Sequence, residues 1–306
     1  MTHPRVFSYR LFGLHVQSDL ELIELQAEHA GTAPDIIIRT ATLPGEWPQA
    51  PGFHRVEGGG LLAIERVGRY LASRGCELLV EAQPGVPERN IRLYLLGSAM
   101  GMLLHQRGLL PLHANAVVID GLAYAFTGPS GSGKSTLAAW FQDNGFPLLS
   151  DDVCVIGFGQ DGAAVAWPGL PRLRLWRDAI ERSGRNLDHF SRSYEEDSDD
   201  WDKYDVPARA GVIPSGPVPL GGVFQLERAQ EHGVEQLTPA DALSVLFGNI
   251  YRGEYLAGRE HEEAWRACVR LATQIRVRRW SRPWDTAAFE QHIRKLLASI
   301  TPQTER

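Results

Sequence analysis

The chain has 306 residues and a net charge of −6, which argues against nucleic acid as the main ligand, because counterion-driven binding needs a basic face. Its 43% hydrophobic and 22% charged residues are those of an ordinary soluble protein, long enough for one large or two modest cores. Cys76, Cys154 and Cys268 lie far apart with no C-x-x-C pair, so they read as core thiols of a reducing, cytoplasmic compartment. No signal peptide is recognisable, and the most apolar region, 93–126, is interrupted by His105, Gln106, Arg107 and His113, too often to span a bilayer.

Residues 1–88 alternate short apolar runs with turn chemistry in RVFSYRLFGLHV, DIIIRTATL, GLLAIERVGRYLAS and CELLVEA, the period-2 pattern of strands. They read as a small β-rich N-terminal domain, with QPGVPERN (83–90) linking it to a second domain over 89–306. In the following stretch Leu93, Leu96, Met100 and Leu103 recur at helical spacing, which predicts a core-facing helix capped by Gly108. LHANAVVIDGLAYAFTG predicts two strands joined by an Asp120-Gly121 hairpin turn. A helix over 134–144 follows a glycine loop and ends at Gly145.

FPLLSDDVCVIGFGQDGAAVAWPG adds a strand ending on aspartates and a hairpin at Asp161-Gly162. Residues 182–205 are polar and acidic with little periodicity and read as a mobile loop over or beside the site. VPLGGVFQLER returns to strand, and Thr238-Pro239-Ala240-Asp241 has the cap, proline and acid of a helix start. The C-terminal part continues with helices, a basic strand in RVRRWSRPW and a last helix from Asp285.

Gly128-Pro129-Ser130-Gly131-Ser132-Gly133-Lys134-Ser135 matches G-x-x-x-x-G-K-[ST] throughout, between an apolar strand at 122–126 and a helix that continues through Thr136. Gly131 and Gly133 let the backbone curl until its amides face phosphate oxygens, and the helix N-terminus adds partial positive charge. Lys134 is placed for the β- and γ-phosphates and Ser135 for magnesium, so ATP with Mg²⁺ is the expected ligand. Ser150-Asp151-Asp152 ends a strand about one helix length further on, which returns it to the phosphates. Two successive carboxylates point in alternate directions, so one can face metal and the other an incoming hydroxyl. Spacing alone leaves hydrolysis and transfer equally open.

The run PLHANAVVIDGLAYAFTGPSGSGKSTLAAWFQDNGFPLLSDD (111–152) resembles the catalytic core of the HPr kinase/phosphorylase family, and residues 91–300 do so more loosely. The resemblance implies an α/β fold with a P-loop kinase core of the type shared with phosphoenolpyruvate carboxykinases. It implies that His113 contacts the catalytic aspartate, Lys134 binds phosphate, Ser135 binds magnesium, Asp151 accepts the proton of a substrate serine, and Asp152 lies near the metal. The family's later Leu-Glu-Ile-Arg-Gly run has no counterpart. LPRLRLW (170–176) stands in its place, where Arg172 and Arg174 share a strand face that either clamps phosphate or a substrate carboxylate or is simply a solvated basic face. Arg228 is the counterpart offered for a further family arginine, and Arg252 in NIYRG resembles part of a late Asn-Tyr-Arg segment.

The β-rich front, RLRLW and PLGGVFQLER are similar to HPr-kinase-like proteins of ribosomal-peptide maturation, including that of lasso precursors. That similarity implies an ATP-dependent kinase acting on a serine of a precursor peptide. The acidic residues Glu195, Glu196, Asp197, Asp199, Asp200, Asp202 and Asp205 belong either to a solvated loop or to one that closes on a basic peptide. Two other readings stay open: an ATP-gated peptide-binding protein without transfer, and a kinase of small hydroxyl compounds. The expected partner is a peptide or protein with an acceptor serine, without nucleic acid or membrane; a homo-oligomer is compatible with the chain.

Overall fold

The computed structural model describes residues 5–29, 31–43, 48, 50–195, 202–208, 214–284 and 288–300. Strands β1 (Phe7–Leu11), β2 (Leu14–Ser18), β3 (Ile36–Thr40), β4 (Gly52–Val56), β5 (Gly59–Ile64), β6 (Gly68–Ser73) and β7 (Glu77–Ala82) form one mixed sheet in the order β1-β2-β3-β7-β6-β5-β4. Strand β4 escapes the sequence pattern because Gly52–Val56 carries little apolar alternation. The β1–β2 turn has positive φ at both Phe12 and Gly13, the geometry that matches strand twist in a two-residue hairpin. It docks on the rest of the chain, since the Phe12 N–H donates to the Pro168 carbonyl at 3.1 Å.

The presumed linker 83–90 is partly helical. Helix α1 (Glu88–Tyr94), a π-helical turn (Leu95–Ala99) and α2 (Met100–Gln106) follow one another, and Gly108 turns the chain at φ 71. This helical segment fills the core of the first sheet through Leu95, Leu96, Ala99 and Leu103, all at most 1% exposed. Val153, Val155, Tyr251 and Tyr255 from later segments join the same core.

Strands β8 (Leu110–Leu112), β9 (Ala114–Ile119) and β10 (Leu122–Thr127) lead into α3 (Lys134–Asp143), β11 (Leu148–Ser150), β12 (Cys154–Phe158) and β13 (Ala164–Trp167). They are followed by β14 (Arg172–Trp176), α4 (Arg177–Arg182), β15 (Ser191–Arg192), β16 (Lys203–Pro207), β17 (Val218–Arg228) and β18 (Gly233–Gln236). The chain closes with α5 (Pro239–Gly248), α6 (Gly258–Gln274), β19 (Arg276–Arg282) and α7 (Phe289–Ile300). A nine-stranded sheet runs β11-β9-β10-β17-β13-β12-β8, with β19 beside β17 and β18 beyond it. The long β17 is its spine, parallel to β10 on one edge and to β19 on the other.

Pleat alternation sorts this sheet's side chains. Ala123, Ala125, Val223 and Val277 face the core with α5 and α6, while Tyr124, Phe126, Phe224 and Trp280 face the core with α3 and α7. Asp120 (φ 49) and Gly121 (φ 79) make the β9–β10 turn, and the Thr238 hydroxyl accepts the Asp241 N–H at the start of α5.

The acidic segment differs from the loop expected over 182–205. It starts at the end of α4 and includes β15 and the first residues of β16, which join β14 in a small sheet of order β14-β16-β15. The carboxylates of Asp202 and Asp205 have partners within the chain. Arg177 donates to Asp202 at 2.6 Å and Arg172 donates to Asp205, while at Glu195 it is the backbone that is held, its N–H donating to Asn90 Oδ1 at 2.7 Å. Glu196, Asp197, Asp199, Asp200 and the helix start at Asp285 lie outside the described residues.

Two glycines separate conformational strain from crowding. A Cβ on Gly13 (φ +78) would meet the Trp167 ring at 2.2 Å, whereas one on Gly58 (φ +77) meets nothing within 4 Å. Gly58→Ala should therefore cost about 1–2 kcal/mol from the left-handed backbone alone, and Gly13→Ala a further ~1–3 kcal/mol from overpacking. Urea denaturation of the two variants checks this; equal losses would contradict the docking of the β1–β2 turn.

Candidate active site

Strand β10 delivers the chain to Gly128, and α3 carries it away from Lys134. Gly128 (φ 147), Gly131 (φ 79) and Gly133 (φ 85) adopt backbone conformations that L side chains rarely take. At Gly128 a Cβ would stand 3.0 Å from the Leu226 carbonyl and 3.1 Å from Ser132 Oγ, so the passage there is narrow. Gly133 caps α3 with no side-chain acceptor, which leaves first-turn amides to the cavity that Lys134, Ser135 and Thr136 line. Ser132 Oγ is buried without a hydrogen-bond partner among the described residues. The Lys134 ammonium folds back on the Gly128 and Pro129 carbonyls at 2.7 and 3.1 Å, and burial lowers its pKa against the opposing pull of Asp152.

The unpartnered Ser132 hydroxyl and the uncapped start of α3, beside a glycine turn, suit a polyphosphate chain, which supplies acceptors to them. Among the described residues no three His, Cys, Asp or Glu side chains cluster as a metal cage. Ser135 and a single carboxylate therefore suit an ion that arrives with its phosphates, as Mg²⁺ does.

The two aspartates follow β11 but occupy different surroundings. Asp151 is 7% exposed, and its Oδ2 accepts the Arg174 backbone N–H at 2.7 Å. Burial pushes its pKa up to about 6, against the Arg174 N–H and with the help of the Asp152 charge. Asp152 has φ +69 while the Val153 N–H donates to the Asp151 carbonyl at 2.9 Å, a tight γ-turn of the rare positive-φ kind. Burial works to raise the Asp152 pKa too, but Arg174, His113 and Lys203 outweigh it and hold the carboxylate below its ordinary value.

His113 is pinned between elements: its N–H donates to the Asn249 carbonyl at 2.7 Å and its carbonyl accepts from Thr127 Oγ1 at 2.9 Å. The ring meets Asp152, not the expected Asp151, with Nδ1 3.2 Å from the Asp152 carbonyl and 3.4 Å from its Oδ1. Because a carbonyl only accepts, Nδ1 carries the proton. The positive-φ turn is what brings Asp152 to the histidine. Burial keeps the His113 pKa below its ordinary value, with Asp152 opposing, so the ring is neutral at pH 7.

The two arginines of β14 part company. The Arg174 guanidinium reaches Asp152 Oδ2 at 3.3 Å, whereas Arg172 binds Asp205, which also accepts from Ser193 Oγ at 2.7 Å. Arg172 lines neither cavity at the site, so the shared strand face did not give a shared role. Arg252, in left-handed conformation (φ 55) with its guanidinium over the Tyr251 ring at 5.2 Å, joins Arg174 in a second cavity. Arg228 sits over the Trp284 ring at 5.8 Å, outside both linings.

Two cavities meet here. One of about 340 Å³ is lined by the glycine loop, Asp151 and Arg282, and the other, of about 400 Å³, by Arg174, Arg252 and Tyr251. His113, Asp152 and Lys203 line both. Lys203, from the stretch read as an acidic loop, and Arg282, at the end of β19, escape a sequence reading. The only local signal for Lys203 was the alternation of Tyr204 and Val206 that makes β16 a strand. Asn115, also unannounced, lines the first cavity and donates to the Lys134 carbonyl.

Comparisons add little to this geometry. No protein-family model matches the chain, and no curated protein does. Among solved structures the chain is similar to the HPr(Ser) kinase/phosphatase from Coxiella burnetii at 13% identity and a TM-score of 0.32, over 62% of this chain and 88% of that one. No helix among the described residues is long and apolar enough to cross a membrane.

The buried Asp151 makes a pH prediction. Its folded pKa lies above the unfolded value, so the folded state holds a proton that the unfolded state loses first. Stability is full below about pH 4 in this respect and falls as pH rises towards 6. About two units correspond to about 3 kcal/mol at pH 7.5. Asp151→Asn should therefore raise the thermal midpoint at pH 7.5 by roughly 5 °C or more, in chelator without nucleotide, and flatten the decline between pH 4 and 6. An unchanged pH profile would remove the buried, proton-holding carboxyl.

Proposed function

We propose that the protein is a kinase that transfers the γ-phosphoryl group of ATP to a hydroxyl, taken to be a serine of a peptide or protein. The observation that carries the reading is the position of Asp152, which stands at the junction of the phosphate-loop cavity and a second, cation-lined cavity. A site built only to split a nucleotide has no need of that second space. A strained, positive-φ residue at the junction costs about 1–3 kcal/mol, and such strain gathers where geometry serves chemistry.

The roles follow from the surroundings. Loop amides and Lys134 hold the phosphate chain, with Lys134 leaving its loop carbonyls to do so. Ser135 and Asp151 would hold Mg²⁺, which spreads the charge developing on the phosphates. Asp152, ionised and oriented by His113 and Arg174, accepts the proton of the incoming hydroxyl. The sequence resemblance gave that role to Asp151; the His113 contact and the junction position favour its neighbour. Arg174 and Arg252 stand on the acceptor side, and the similarity to peptide-maturation kinases points to a ribosomally made, lasso-type precursor as the acceptor.

The test is incubation with ATP, Mg²⁺ and a peptide encoded nearby, with products read by mass spectrometry. Asp152→Asn should lower transfer by about 10²–10⁴-fold while leaving ATP binding intact. Lys134→Ala should lose ATP binding and transfer together, and Asp151→Asn should raise the Mg²⁺ concentration needed for half-maximal rate. Ordinary transfer by Asp152→Asn would return the base to Asp151. Bound, unaltered ATP with no phosphopeptide from the wild type would favour a nucleotide-gated binding protein.

A further inference from the structure

The phosphate chain has a direction in the first cavity. This rests on the kinase reading: the terminal phosphorus lies where Asp152, His113 and Lys203 stand, so the nucleoside lies at the opposite end. That end is built by the last residues of β19 and the start of α7. Arg282 is 4% exposed, and its guanidinium packs over the rings of Trp280 at 5.1 Å and Phe289 at 5.0 Å. A Cβ on Gly133 would meet Arg282 Nη2 at 3.2 Å, so the guanidinium stands against the loop where α3 begins.

Trp284 and Phe289 line the cavity beside it. Arg282, itself a lining residue, covers the Phe289 ring, whereas the cation over Trp284 is Arg228 at 5.8 Å, which does not line the cavity. Backed by Arg228, Trp284 is therefore the aromatic surface offered to the cavity at this end. Its Nε1 is buried without a hydrogen-bond partner among the described residues, a cost that an acceptor oxygen on a ligand removes. Trp176 also lines the cavity, but the Lys203 ammonium lies 4.8 Å from its ring centre, which ties it to the transfer end.

We infer that Trp284 is the stacking platform for the nucleobase of the nucleotide, a purine, and that Arg282 holds the phosphates nearest the nucleoside. An indole offers its face to any base, and the larger purine ring covers more of it than a pyrimidine does. Adenine and guanine are therefore poorly distinguished, whereas cytosine and uracil are disfavoured. The two cations divide the chain, Lys134 toward its γ end and Arg282 toward its α end.

Equilibrium binding of ATP, CTP and inorganic tripolyphosphate to the full chain tests this. Wild type should prefer ATP over CTP, and Trp284→Ala should weaken ATP binding by about 10- to 100-fold while leaving tripolyphosphate within about two-fold. Trp284→Phe should recover most of the ATP affinity. Should Trp284→Ala not fold, tryptophan fluorescence decides: quenching by ATP but not by tripolyphosphate must vanish in Trp284→Phe. Unchanged ATP affinity in Trp284→Ala, or persistent quenching in Trp284→Phe, overturns the platform and leaves the kinase reading standing. Failure of the wild type to bind either ATP or tripolyphosphate overturns the kinase reading itself.

Discussion

One residue holds the two site carboxylates in their different states. The backbone N–H of Arg174 donates to Asp151 and its guanidinium to Asp152, so a single strand position fixes both groups. The strand has little freedom to drift, because Leu173 and Leu175 on its opposite face are fully buried against α3 and the central sheet. The neutral hydrogen bond reaches the buried carboxyl and the charged one reaches the carboxyl at the junction. Environments that drive neighbouring carboxyl groups apart in proton affinity are what acid–base chemistry at neutral pH requires. The small three-stranded sheet is thus a clamp on the aspartates as much as a cover for the core.

The second cavity is coupled to the N-terminal sheet through Tyr251. This residue donates its N–H to the Pro111 carbonyl at 2.8 Å, its carbonyl accepts from His105 at 2.8 Å, and its ring lies 6.1 Å from the His113 ring, tilted by 32°. Its ring passes close to the helical segment at Gly97 and Gly101, where added Cβ atoms would stand 3.2 and 3.1 Å away. A π-helical turn, a local widening common at functional sites, lies at that crossing. The helix that fills the first sheet's core therefore also forms a wall behind the histidine. Changes in that sheet should be felt at the second cavity before they are felt at the glycine loop.

Much of the local structure was legible in the sequence because its cause is local. The Asp120-Gly121 turn, the positive-φ glycines of the loop, the Thr238 cap and the alternation of β9 and β10 follow from backbone chemistry within a few residues. What was missed is set by distant partners. Arg172 and Arg174 do share a pleat face, but Asp205 on the neighbouring strand captures the first and Asp152 the second. Lys203 sat among acids that suggested a solvated loop, and only pairing with β14 turns it towards the site. The exchange of partners between Asp151 and Asp152 depends on one positive φ at a non-glycine residue, which spacing does not announce.

The central claim is that Asp152 stands between the terminal phosphate and the acceptor. A crystal structure with MgADP and aluminium fluoride tests it most directly. The account predicts the fluoride group between Lys134 Nζ and the Asp152 carboxylate, within about 3 Å of the ammonium and one water or less from the carboxylate, with Lys134 withdrawn from Gly128 and Pro129. A fluoride group facing Asp151 instead, with Asp152 still closed on Arg174 and out of hydrogen-bond reach, would contradict it.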